Sequence, residues 1–210
     1  TVGSGVKVQL ELGGKNPLVV TGRADLAVAV EAAMQGGFGS TGQRCTASSY
    51  IVATDDIHDR FVEAMAQRMA EWQVGDARAA GTDMGPVVDD SQLEQDRRFL
   101  QIARDEGAQI IGGGAVDGPG HFLAPALAVG TSIGDTINRE EVFGPVVSVV
   151  RADDYSAALA AANASTMNLS AGICTTDLAE ASHFKRNSAA GMVMVNLPTA
   201  GVDQIGRAHV

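Results

Sequence analysis

Cys45 stands in a polar, glycine-containing stretch, Ser40-Thr41-Gly42-Gln43-Arg44-Cys45-Thr46-Ala47-Ser48. A cysteine on such a connection is open to substrate and close to backbone N–H groups that stabilise a thiolate or an oxyanion. Cysteine is also among the most buried residue types, so simple packing is the competing reading. Cys174, inside an apolar run, fits packing well; Cys45 fits it poorly. Glu11 lies in Val8-Gln9-Leu10-Glu11-Leu12-Gly13-Gly14-Lys15. Two-residue alternation puts Val8, Leu10 and Leu12 on one face and Gln9 and Glu11 on the other. That describes either a half-solvated strand or a carboxylate held above a tight glycine turn as a general base. Glu141, in Arg139-Glu140-Glu141-Val142-Phe143-Gly144-Pro145-Val146, is equally open. It either decorates a helix end or accepts hydrogen bonds from sugar hydroxyls, as acids do on nucleotide riboses. Arg44 could stabilise the neighbouring thiolate, meet a substrate carboxylate, or point inward to a structural partner, since sequence neighbours need not share a direction.

The elements that must position these residues follow from hydrophobic periodicity. Strands are expected at 8–12, 18–20, 50–53, 109–111, 145–150, 170–174 and 192–195. Helices are expected at 25–34, 57–72, 91–106, 155–162 and 178–186, where apolar residues recur at helical spacing. Asp25 and Ser91 occupy positions suited to N-caps, and Gly107 suits the residue just past a helix end. Alternation on this scale predicts an α/β fold with a largely parallel sheet flanked by helices. Gly112-Gly113-Gly114 follows a strand, but Ala-Val-Asp-Gly-Pro-Gly comes next rather than a helix, so it reads as a turn and not a phosphate loop. No G-x-S-x-G elbow occurs.

Composition narrows the function further. The chain has 210 residues, 45% of them hydrophobic, enough for a substantial core. A formal charge of −10 with scattered basic residues disfavours nucleic-acid binding. Cys45 and Cys174 lack metal-ligand spacing, and His58, His121, His183 and His209 never stand at helical ligand spacing, so no metal site is expected. No apolar run approaches the ~20 residues of a membrane span, and no secretory signal opens the chain. A reduced, cytoplasmic protein is the expectation.

Leu10-Glu11-Leu12-Gly13-Gly14-Lys15, Gly42-Gln43-Arg44-Cys45 and Glu140-Glu141-Val142-Phe143-Gly144-Pro145-Val146 together resemble the signature segments of the NAD(P)-dependent aldehyde dehydrogenase superfamily, and in that order. The separation of Glu11 from Cys45 resembles the family's own. Asn16-Pro17, Thr82-Asp83-Met84-Gly85-Pro86 and Gly191-Met192-Val193 also resemble family landmarks. Ser40–Ser49, Ile57–Phe61, Gly172–Thr176 and Met192–Asp203 are similar to the α-ketoglutaric semialdehyde (2,5-dioxovalerate) branch.

The resemblance implies a catalytic pair and a cofactor, NAD or NADP. Cys45 would attack the aldehyde to give a thiohemiacetal, with its own backbone N–H and a side-chain amide from outside this chain holding the oxyanion. Oxidation by the dinucleotide would leave a thioester on Cys45, and Glu11 would activate the water that hydrolyses it. Glu141 matches the position that binds the nicotinamide ribose, with Phe143 beside the nicotinamide; Leu12 and Gly13 match backbone positions near that ring. The implied reaction is oxidation of α-ketoglutaric semialdehyde to 2-oxoglutarate, with succinic semialdehyde or another small aldehyde as the alternative substrate and a non-catalytic homologue as the alternative class. The parent enzyme would be a homo-oligomer.

Family members are about twice this long, so the chain reads as a C-terminal catalytic fragment, inactive by itself. Residues 1–11 would end a truncated cofactor-binding domain, 12–203 would form the catalytic domain, and 204–210 would be a non-native tail. Gln204-Ile205-Gly206-Arg207-Ala208-His209-Val210 departs from the family pattern and is what a common sequencing-adapter sequence encodes.

Overall fold

Residues 7, 13–167 and 169–200 are described by the computed structural model. The expected strand at 8–12 and the tail at 204–210 lie outside the described residues.

The first strand, β1 (Asn16–Val20), is apolar after its first residue and buried throughout. Leu18 and Val20 face one side of the sheet and Val19 the other, as a two-residue period requires. Helix α1 (Leu26–Phe38) starts on Asp25, whose carboxylate accepts the Val28 N–H at 3.1 Å. It runs past the expected end at Met34, through Gly36 and Gly37. Those glycines cost helix propensity but let α1 approach the sheet: a Cβ on Gly37 would lie 2.5 Å from Val147 Cγ2, and one on Gly36 would lie 2.3 Å from Ser48 Oγ.

A 3-10 turn, Gly39–Gly42, then leads toward β2 (Ser48–Thr54) and α2 (Asp55–Glu71). Helix α3 (Asp90–Asp105) is capped by Asp89, which accepts the Gln92 N–H at 2.9 Å, and not by Ser91 as expected. Asp89 stands outside the first turn with extended backbone, the geometry a cap needs. Gly107 ends this helix with φ +100°, as expected.

Beyond it come β3 (Gln109–Gly112), β4 (Ala126–Thr131), the single turn α4 (Thr136–Arg139), β5 (Val146–Ala152), α5 (Tyr155–Ala162), β6 (Ser170–Cys174), α6 (Leu178–Asn187) and β7 (Met192–Val195). Gly112 and Gly113 take positive φ, and no helix follows them, in line with the turn reading. Strand β4 and helix α4 were not expected. Ala-Leu-Ala-Val-Gly-Thr has little intrinsic strand preference; β4 exists because β3 and β5 pair with it on either side.

The seven strands form one sheet in the order β3-β4-β5-β2-β1-β6-β7, parallel except for β3, which runs antiparallel to β4 at the edge. Helices α1 and α2 cover one face, packing on Leu18, Val20, Ile51, Ala53, Val147 and Val149. Helix α5 covers the other, with Phe184 of α6, over Val19, Tyr50, Val52, Ala171 and Ile173. Helix α3 packs on Ala126, Ala128 and Val146. The expected α/β fold, a largely parallel sheet flanked by helices, is therefore observed. Among the described residues no helix is long and apolar enough to cross a membrane.

Candidate active site

Three connections, together with the first residue of β6, Ser170, meet at the amino ends of the central parallel strands: Gly13–Lys15 before β1, Gly42–Ala47 before β2 and Glu141–Pro145 before β5. Cys45 lies in the turn before β2 and is exposed, whereas Cys174 is buried at the end of β6. Burial pushes the Cys174 thiol up to about 12, which leaves it a packing residue at neutral pH.

The turn is reached through unusual backbone. Ser40 (φ 54°), Thr41 (φ 59°) and Gly42 (φ 67°) are all left-handed. Only glycine adopts that conformation without steric cost, so two consecutive non-glycine residues there mark a segment held by its surroundings. Part of the hold is at Gly42, where a Cβ would lie 2.2 Å from the Gly144 carbonyl oxygen. The cysteine turn and the Glu141–Gly144 segment thus pack backbone to backbone.

Downstream of Cys45, three successive carbonyls are hydrogen-bonded by buried side chains. The Asn16 carboxamide donates to Cys45 O at 2.8 Å and to Ala47 O at 2.9 Å. Between them, Thr46 O accepts from the Thr199 hydroxyl at 2.7 Å and the Ser170 hydroxyl at 3.3 Å. Thr199 spends its proton on Thr46, so Ser48 Oγ is the donor in their 2.7 Å contact. Asn16 Oδ1 accepts the Ser170 N–H at 2.9 Å, and the Asn16 N–H donates to Ser49 Oγ at 3.1 Å. Asn16, Ser48, Ser170 and Thr199 are all fully buried.

Glu141 is half-buried, and its Oε1 accepts the Gly14 N–H at 3.0 Å. A Cβ on Gly13 would meet Glu141 Oε2 at 2.3 Å, and one on Gly14 would meet Cys45 O at 2.5 Å and Asn16 Oδ1 at 2.7 Å. Gly14 is therefore required by close approach to the cysteine carbonyl and its amide partner, whereas a side chain at Gly13 would displace the Glu141 carboxylate. Gly14, Gly42, Arg44, Ser49, Glu141 and Phe143 line a narrow crevice here. Phe143 is left-handed (φ 61°) and 37% exposed, an aromatic ring presented to solvent. Lys15 has the opposite fate, fully buried with no acceptor for its ammonium among the described residues. Burial lowers it to about 7, against the opposing pull of Glu141.

The structure thus brings Cys45, Gly13, Glu141 and Phe143 to one end of the sheet. Glu11 and Leu12 lie outside the described residues. Arg44 makes no ion pair among the described residues; its guanidinium donates to Ser40 Oγ at 3.0 Å and Ala200 O at 3.2 Å. Sequence reasoning passed over Gly14 as a donor, and over Asn16, Ser170 and Thr199 as supports of the cysteine turn. Asn16 alone carried a usable signal, a carboxamide heading an otherwise apolar strand.

The sequence pattern of the aldehyde dehydrogenase family matches residues 2–207. A 2,5-dioxopentanoate dehydrogenase of Saccharolobus solfataricus is 39% identical over 94% of this chain and 41% of its own length. An α-ketoglutarate semialdehyde dehydrogenase of Haloferax volcanii is 41% identical over 95% of this chain and 42% of its own. The structure superimposes on a Staphylococcus aureus betaine aldehyde dehydrogenase solved with NAD+, with a TM-score of 0.86 and 33% identity over 89% of this chain and 38% of that one. The chain spans about two fifths of the length of these relatives.

Proposed function

The chain belongs to the aldehyde dehydrogenase family, and from that premise we propose that it supplies the nucleophile-bearing part of an NAD(P)-dependent dehydrogenase for a small aldehyde, α-ketoglutaric semialdehyde foremost. The observation that carries this reading is the contrast between the two cysteines: Cys45 exposed beside the crevice on a backbone pinned at three successive carbonyls, Cys174 buried.

The crevice residues fit a nicotinamide dinucleotide. Glu141 keeps acceptor capacity beyond its one bond to Gly14, suiting a ribose hydroxyl pair, and the absent Cβ of Gly13 leaves the carboxylate its position. Exposed Phe143 offers an aromatic face beside it. When bound, the dinucleotide supplies the hydride acceptor.

The chain's own residues do the rest. Cys45 Sγ adds to the aldehyde carbon, and the oxygen that gains charge is met by the Cys45 backbone N–H. After oxidation, the acyl group is a thioester on Sγ. Glu11 removes a proton from water, whose oxygen adds to the thioester carbon; the C–S bond breaks, the acid leaves and the thiol is restored. Arg44 has guanidinium N–H groups beyond those committed to Ser40 and Ala200, and these suit the carboxylate at the far end of a semialdehyde acid. Homo-oligomeric assembly and a cytoplasmic setting belong to the same proposal.

The test is dinucleotide reduction by the complete enzyme that carries this chain, with α-ketoglutaric and succinic semialdehydes side by side. Cys45→Ala should abolish turnover, and Glu11→Gln should slow thioester hydrolysis more than thioester formation. A folded protein that binds the dinucleotide and turns over no small aldehyde would leave the non-catalytic homologue as the better reading.

A further inference from the structure

Asn16 deserves a role of its own within that site. Its carboxamide is fully buried and uses both atoms: Nδ2 reaches Cys45 O and Ala47 O, while Oδ1 takes the Ser170 N–H. One planar group therefore joins the first residues of β1 and β6 to two carbonyls of the cysteine turn. A hydrogen bond to the Cys45 carbonyl fixes the plane of the Cys45–Thr46 peptide, and with it ψ of Cys45. The bond to Ala47 O and the two hydroxyls on Thr46 O remove the remaining freedom downstream. Upstream, the left-handed run Ser40–Gly42 and the close approach of Gly42 to Gly144 restrict the other side.

With its carbonyl held inward, Cys45 keeps an N–H that has no acceptor among the described residues. We infer that Asn16 is a positioning residue for Cys45, holding its peptide so that Sγ and the Cys45 N–H act together on one carbonyl group. This rests on Cys45 being the nucleophile, but it assigns the task of aiming to a side chain that touches no reacting atom. Gly14 is part of the same arrangement, because any side chain there would strike both the Asn16 carboxamide and the Cys45 carbonyl.

Two electrophiles separate positioning from mere structural support, and neither requires aldehyde oxidation. Iodoacetamide alkylates Sγ by displacement at carbon and builds no oxyanion. p-Nitrophenyl acetate acylates Sγ through addition to a carbonyl, expelling nitrophenolate, and its rate depends on a donor placed for the oxyanion. Both rates would be measured at Cys45 in the complete enzyme that carries this chain, with mass spectrometry assigning the modified cysteine.

In Asn16→Ala the acylation rate should fall at least about tenfold, part of the roughly 10²–10³-fold cost of losing an oxyanion donor outright, while alkylation stays within about threefold. Asn16→Leu has a similar volume, introduces no charge and also loses both donations, so it should show the same selective loss; it is the deciding variant if the alanine protein does not fold. Parallel changes in both rates, or no change in either, would overturn the inference. Selective loss in a protein whose complete enzyme oxidises no aldehyde would sustain the positioning role and reject the proposed reaction.

Discussion

Asp96 is a fully buried carboxyl against Gly144; Oδ1 accepts from the Gln92 carboxamide at 2.8 Å and Oδ2 has no partner among the described residues. Burial raises it to about 6, with the Gln92 bond opposing. The folded state then binds the proton more tightly than the unfolded state, so the cost of ionising Asp96 is absent below pH ~4 and complete above pH ~6. Stability should decline across that window by at most about 3 kcal/mol from this group. Asn in its place should erase the decline and raise Tm at pH 8, which melting curves across pH would show. Lys15 has the reverse dependence. Its lowered value means that the buried charge costs most below pH ~7 and nothing once pH exceeds the unfolded value. Lys15→Met should raise Tm at pH 6, with a gain that shrinks between pH 7 and 10.5; an equal gain at all pH values would contradict the assignment.

At the scale of elements, α1 shows packing overruling local preference. Helix propensity favours alanine over glycine by up to about 1 kcal/mol. At Gly37, however, a Cβ would lie 2.5 Å from Val147 Cγ2 and 3.2 Å from the Ser48 carbonyl, so helix and sheet would have to part. Gly37→Ala should therefore destabilise the protein by about 1–3 kcal/mol, measured by urea denaturation. A higher midpoint would show that α1 can slide without loss. The cap of α3 is the simpler case: Asp89→Ala leaves the Gln92 N–H without its acceptor and should cost about 1 kcal/mol in the same assay.

For the whole molecule, the two cysteines measure different processes. Cys45 is exposed in the native state, so its alkylation needs no unfolding. Cys174 is buried at the end of β6, a strand paired with both β1 and β7, so reagent reaches it only when the central sheet opens. Cys45 should be modified promptly in buffer, and Cys174 only as urea approaches the unfolding midpoint. Early labelling of Cys174 would show that the β6–β7 side of the sheet opens by itself.

Much of this was already written in the chain. Periodicity determined six of the seven described strands and all five longer helices, because apolar residues repeat with the period of the element they build. Cys45 stood apart from Cys174 on local context alone, and Gly13-Gly14 announced a close approach without saying to what. The tertiary structure decided matters of distance. It made β4 a strand by placing it between two others, carried α1 through its glycines because the sheet needed the space, and moved the cap of α3 to Asp89. It also set Glu141 against Gly13 and Gly14, more than a hundred residues away in sequence, and turned Asn16 from a strand's first residue into the clamp on Cys45. The reason is physical: a hydrophobic period is a property of neighbours along the chain, whereas a hydrogen bond across strands depends on register and sheet order, which no local pattern encodes.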